Sequence, residues 1–268
     1  MRFLTMNVFS PSNPDWSKRR EVLRAGFAEL SPDIVAVQEA AWLGDVDPVV
    51  ELLGDEYHSL PHSQRSTDGV GAFLASRYPL ELVAEVDLRL TERVELPWSG
   101  AVIAVADTPN EFGDLLIVHH KPTWEMGYSL EREQQAVACA RGVEEILSTR
   151  SAHVVVLGDF DDEPRSSSMR FWRGLQSLEG VSVEYRDVWE TAHPGQDGFT
   201  FTTTNPLVQQ GQFPLERGRR IDYILIRCGR YGPTLAVDTC RRAFDAPVDG
   251  VWASDHFGVV ADLSPVSR

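Results

Sequence analysis

The feature that most constrains this chain is a set of short apolar runs that stop abruptly at a residue able to bind a metal or carry a proton. Phe3 to Met6 ends in Asn7, and Ile34 to Val37 ends in Gln38-Glu39. Leu115 to Val118 ends in His119-His120, and Val154 to Leu157 ends in Gly158-Asp159. Runs of this kind, apolar at consecutive positions, read as strands buried on both faces. Two further runs are entered by polar residues instead, with Asp222 before Tyr223 to Ile226 and Asp255-His256 before Phe257 to Ala261. If the last two strands run antiparallel to the first four, all six polar groups reach one edge, and the sheets must be mixed. Further strands are expected at Gly69 to Ser76, Leu80 to Leu90 and Ala101 to Ala106. Helical periodicity groups Trp16, Leu23, Phe27 and Leu30 on one face, and Ala136, Cys139, Val143 and Leu147 on another, with Ser129 as an expected N-cap.

Composition narrows the function. Across 268 residues, 25 Lys and Arg face 40 Asp and Glu, a formal net charge of −15. Such a chain repels a long phosphate backbone, so long duplex nucleic acid is a poor expected partner. The length suits one domain spanning 1–268. Three cysteines, Cys139, Cys228 and Cys240, form no C-x-x-C pair, which argues against a disulfide framework and a thiolate zinc cluster. Met1 to Asn7 is too short to act as a signal sequence, and no apolar run approaches a membrane span, so a cytoplasmic enzyme is expected. No protein partner is indicated.

One carboxylate at a strand end is ordinarily a solvated terminus, but six polar ends are hard to explain by packing, since an unpaired buried charge is costly. Oxygen ligands such as Glu39, Asn7 and Asp255 suit a hard cation like Mg²⁺, with water and substrate completing its shell.

Five short stretches carry a resemblance: Met6-Asn7-Val8, Val37-Gln38-Glu39, Gly158-Asp159-Phe160, Arg220-Ile221-Asp222-Tyr223 and Ser254-Asp255-His256. In that order they resemble the signatures of the endonuclease/exonuclease/phosphatase family, which includes deoxyribonuclease I. Gly69-Val70-Gly71 and Leu74 to Pro79 are similar to its internal strand and turn. The resemblance implies an α/β fold, a four-layer α-β-β-α sandwich of two packed mixed sheets, and metal-assisted phosphoester hydrolysis at one end. It implies Glu39 as the principal Mg²⁺ ligand, with Asn7 and Asp255 close to the metal and Mn²⁺ as an alternative ion. Asp159 would orient or deprotonate the attacking water, and Asp222 would hold His256 as an imidazolium facing the phosphoryl oxygens.

The chain leaves the family pattern at Asp161, where Asn usually follows Gly-Asp-Phe and can donate to a phosphate oxygen. An ionised Asp161 cannot donate. It would be protonated, bind a second metal, or point away, and the metal-linked reading ranks first. The family often places a stabilising His at the end of the strand holding His119-His120, which assigns His120 to the site and leaves His119 structural. Lys121-Pro122 would fix the turn. Arg217, Arg219 and Arg220 are either a phosphate clamp or a solvated loop, and one of Trp98, Trp124 and Trp252 is a candidate pocket wall. His58, His62, His153 and His193 are expected to be surface or hydrogen-bonded histidines. The expected function is Mg²⁺-dependent hydrolysis of a small or short phosphoester, by a phosphodiesterase or phosphatase. The rivals are a DNA or RNA nuclease and a binding module that has lost activity.

Overall fold

The computed structural model describes residues 1–42 and 46–266. One sheet has six strands in the order β12 (Leu235–Ala243), β13 (Gly258–Pro265), β1 (Arg2–Asn7), β2 (Ile34–Ala41), β4 (Val70–Ser76) and β3 (His58–Pro61). The other runs β11 (Gly232–Pro233), β10 (Asp222–Gly229), β8 (His153–Asp159), β7 (Leu115–Lys121), β6 (Gly100–Ala106) and β5 (Leu80–Asp87), with β9 (Tyr185–Asp187) beside β10. Both sheets are mixed, as the strand-end pattern requires. β1 and β2 are parallel and β13 antiparallel to β1, while β7 and β8 are parallel and β10 antiparallel to β8.

Alternation along each strand separates the layers. Phe3, Ile34, Ala36, Leu115, Ile117, Val155, Leu157, Ile224 and Val259 fill the space between the sheets. Their neighbours in sequence turn outward. Leu4, Met6, Val35 and Val37 pack under helix α1 (Trp16–Leu30), whose Leu23, Phe27 and Leu30 are buried as the periodicity predicts. Leu116, Val118, Val154, Val156 and Leu225 pack under the helix Ser129–Leu147 and the shorter helix Ser167–Trp172. The result is four layers, helix, sheet, sheet, helix. Ser129 is the first helical residue rather than its cap, and the cap position falls on Tyr128, which makes no side-chain capping bond.

Two local devices prepare the site edge. Buried Arg19 on α1 donates to the carbonyls of Val8 (2.9 Å), Ser10 (3.1 Å) and Pro14 (2.8 Å), pinning the loop after β1. Gly158 lies at φ 153°, and a Cβ there would meet the His120 carbonyl oxygen at 2.1 Å. Only glycine lets the end of β8 lie this close to β7.

Candidate active site

The first sheet supplies Asn7, Glu39 and, from the turn before β13, Asp255 and His256. Plain alternation would send residue 39 to the helix side with Val35 and Val37. It does not, because Glu39 adopts φ 62° and the β2–β4 register slips between Gln38 and Ala40. Such a bulge re-aims a side chain at the cost of local strain. The redirected carboxylate accepts the Asn7 amide at 3.0 Å and the Ser10 backbone N–H at 3.1 Å. Asn7 Nδ2 also donates across to Asp159 Oδ2 at 3.1 Å, joining the two sheets, and its Oδ1 accepts the Phe9 N–H at 3.0 Å.

The second sheet supplies Asp159, Lys121, Asp161 and Asp222. Lys121 ends β7, is 2% exposed, and donates to Asp159 Oδ2 at 3.0 Å and to Asp161 Oδ2. Burial alone would raise Asp159, but Lys121, His256 and Asn7 together bring its carboxyl below the ordinary range. Asp161, at φ 52°, is pushed up to about 7 by burial and by Asp159, against the pull of the ammonium. One cation serves two carboxylates, so the second ionisation is the costly one.

Asp222 Oδ2 meets His256 Nδ1 at 3.0 Å, which leaves Nε2 as the working nitrogen. Burial opposes charge on His256, yet Asp222 and Asp159 hold its pKa well above the ordinary value. Ser254 locks the turn that delivers it, donating from Oγ to the Asn7 carbonyl at 2.7 Å while accepting the His256 N–H at 3.1 Å. Asn205 donates to the carbonyls of Ser254 (2.8 Å) and Asp255 (3.2 Å). Asp255 is half-buried, and burial together with Glu39 pushes its carboxyl up to about 7.

Two places have the chemistry to attract a cation. Glu39 and Asp255 are oxygen donors whose mutual repulsion a divalent ion would relieve. Ligand atoms of Asp159, Asp222 and His256 also lie within 4.8 Å of one another. There, however, His256 Nδ1 is spent on Asp222, and Asp159 accepts from Asn7, Lys121 and the Asp161 N–H (3.2 Å). The residues therefore fit an ion on the Glu39 side and a hydrogen-bonded acid–base group on the other.

Several expectations need correction. His120 is not at the site. It packs on Phe160 (4.8 Å between ring centroids) and Trp172 (5.6 Å) under the outer helices, because residues 116, 118 and 120 share that face. His119 points between the sheets, with Nε2 2.8 Å from Gln38 Nε2, and the side chain that β7 contributes to the site is Lys121, not a turn residue. The cation beside Asp161 is therefore this lysine. Arg220 is buried on Asp187 at 2.8 Å and Arg219 holds Glu216 at 2.9 Å, so neither is a free phosphate clamp. His62 is buried against His119 (4.7 Å between centroids) with neither ring nitrogen hydrogen-bonded, and burial lowers its pKa to about 4. Of the three tryptophans, Trp98 is buried with its ring 5.8 Å from Lys121 Nζ, Trp252 stacks on Phe257, and Trp124 is exposed beside Phe213 (6.4 Å). Ser10, Asn205 and Ser254 had no role assigned from sequence, and Lys121 was expected only to fix a turn. The one available signal was Asp161 itself, an extra acid calling for a cation.

Two mixed sheets that bring carboxylates, an amide and an Asp–His pair to one edge define a metal-dependent hydrolase of phosphoester bonds. A profile of the Endonuclease/Exonuclease/phosphatase family matches residues 4–256, and the chain belongs to that family. Solved structures agree on the fold. D. rerio TDP2 complexed with single-strand DNA product superposes with a TM-score of 0.74 at 19% identity, covering 98% of each chain. The endonuclease/exonuclease/phosphatase from Bacteroides vulgatus gives 0.70 at 21%, covering 99% of this chain and 98% of that one. The human Nocturnin catalytic domain with bound sulfate gives 0.70 at 17%, covering 99% and 93%. No curated protein sequence matches the chain. Among the described residues no helix is long and apolar enough to cross a membrane.

Proposed function

We propose that the chain is a Mg²⁺-dependent hydrolase of small or short phosphoesters. The observation that carries this reading is the Asn7 amide, hydrogen-bonded at once to Glu39 on one sheet and Asp159 on the other. It couples a cation-seeking carboxylate to the carboxylate placed to handle water. Glu39 and Asp255, with the remaining lone pair of Asn7 Oδ1, would hold Mg²⁺, and Mn²⁺ suits the same oxygens. Such an ion offsets charge on the phosphoryl group. Asp159, kept ionised, orients the attacking water. His256, kept protonated by Asp222, presents Nε2–H to a phosphoryl oxygen.

Charge and shape favour a small substrate. A cavity of about 1020 Å³ lies one aromatic layer from the site: Phe213 in its lining packs on Phe201 (5.4 Å between ring centroids), which packs on His256 (5.0 Å). Its lining charges outside ion pairs are of both signs, Arg165 and Arg217 with Glu163 and Asp197, so it is no polyanion track. Phe199, Phe213 and Leu215 offer apolar surface there, and exposed Trp124 flanks Phe213. These rings favour a second reading within the same chemistry, in which a short single strand stacks its bases beside the site. The three cysteines are buried and free, in keeping with a reducing, cytoplasmic setting.

The test is a panel of phosphomonoesters, small phosphodiesters, single-stranded oligonucleotides and plasmid DNA, each with Mg²⁺ and with EDTA. Mg²⁺-dependent turnover of a small ester or short oligonucleotide, with plasmid a poor substrate, is expected. Rapid plasmid nicking at physiological salt, lost in Glu39→Gln, would replace this reading with a duplex nuclease.

A further inference from the structure

Lys121 is buried, charged and used by no step above. Its ammonium lies between Asp159 and Asp161, donating to Oδ2 of each, with the Trp98 ring 5.8 Å away. A buried ammonium persists only where anions compensate it, and here two carboxylates from one strand end do so. Strand geometry fixes its place. Leu115, Ile117 and His119 precede it on the face between the sheets, and the close approach of Gly158 brings the end of β8 against β7. From Lys121 a single chain of hydrogen bonds runs through Asp159 and Asn7 to Glu39.

Two neighbouring carboxylates on a backbone turn are the usual oxygen donors of a divalent ion. In this protein that position is already filled from within. We propose that Lys121 is a positioning residue that acts as a built-in cation. It neutralises the Asp159–Asp161 pair, holds Asp159 in register with Asn7, and keeps a second divalent ion out, so that the protein binds one catalytic ion. The count of one rests on the Glu39–Asp255 reading, whereas the exclusion of an ion from Asp159–Asp161 does not.

The experiment counts bound Mn²⁺ on EDTA-stripped protein by electron paramagnetic resonance of the free ion, with circular dichroism as a check of folding. Wild type and Lys121→Arg should each bind one ion. Lys121→Met should bind one more than wild type, and Lys121→Met/Asp161→Asn should return to the wild-type count because the new site has lost a carboxylate. If Lys121→Met is unfolded when stripped, Mn²⁺ should restore its structure, since a divalent ion can take the place of the ammonium. Two ions on wild type would overturn the proposal. So would a Lys121→Met protein that gains none, or one that stays unfolded at every Mn²⁺ concentration. A wild-type count of zero, with Lys121→Met binding one, would instead remove the Glu39–Asp255 site and leave the role of Lys121 standing.

Discussion

The two sheets bring opposite charge arrangements to their shared edge. On the first, neither Glu39 nor Asp255 has a side-chain cation within ion-pair distance among the described residues, although buried Arg19 attracts both, and burial with repulsion from Glu39 pushes Asp255 up to about 7. On the second, Asp159 and Asp161 hold Lys121 from their own sheet, and Asp222 holds His256, which the turn before β13 delivers from the first. One set of carboxylates is left without an ion-paired cation and the other is matched by side chains. A strongly acidic edge is thereby divided between an external ion and internal cations, with Asn7 as the bridge between them.

The largest effect is expected from Glu39→Gln, which removes charge at nearly constant volume. Hydrolysis should fall by roughly 10³-fold or more, several kcal/mol of transition-state charge stabilisation, while circular dichroism stays unchanged. Turnover within tenfold of wild type at saturating Mg²⁺ would mean that the first sheet does not hold the ion.

Asp222→Asn tests the self-sufficient half. It should lower kcat by about 10²- to 10⁴-fold, the range of a general acid–base group, more than it changes KM. It should also move the alkaline limb of the pH–rate profile to lower pH. The sign follows from His256, whose folded pKa is raised, so the imidazolium form is present below that value and lost as pH rises through it. An unmoved alkaline limb in the variant would show that His256 is not the group being titrated.

Asp161→Asn should do less, because Lys121 keeps Asp159 as a partner. A loss of less than about 100-fold in kcat is expected, below the usual contribution of a general acid or base. A larger loss would give Asp161 an obligatory role in the chemistry.

The smallest effect concerns pH and metal affinity. Asp255, raised to about 7 in the metal-free protein, must give up its proton to become an oxygen ligand. Mg²⁺ affinity should therefore fall by up to about tenfold for each unit of pH below 7 and level off above it, as calorimetry can measure, since one proton is released. Flat affinity across that window would separate Asp255 from the ion.

Most of this edge was legible in the sequence because a buried strand that ends in a polar residue has few alternative explanations. Asn7, Asp159, Asp222 and His256 converge as that pattern implied. Periodicity failed at two points, for different reasons. Glu39 reaches the site only through a bulge at φ 62°, which leaves no mark in composition. On β7, both faces of Leu115 to Val118 are buried, so hydrophobicity alone could not say which parity faces the other sheet. That ambiguity left the choice to the family resemblance, which put His120 at the site, and it hid Lys121. Substrate preference was the least legible, since the cavity beside the site is lined by loop residues drawn from separate parts of the chain.

Anomalous diffraction from crystals soaked in Mn²⁺ distinguishes an external ion on the carboxylates of the first sheet from internal cations on those of the second. A single peak is expected beside Glu39 and Asp255, with Lys121 still between Asp159 and Asp161. A peak among Asp159, Asp222 and His256, or one that displaces Lys121 from its two carboxylates, would contradict it.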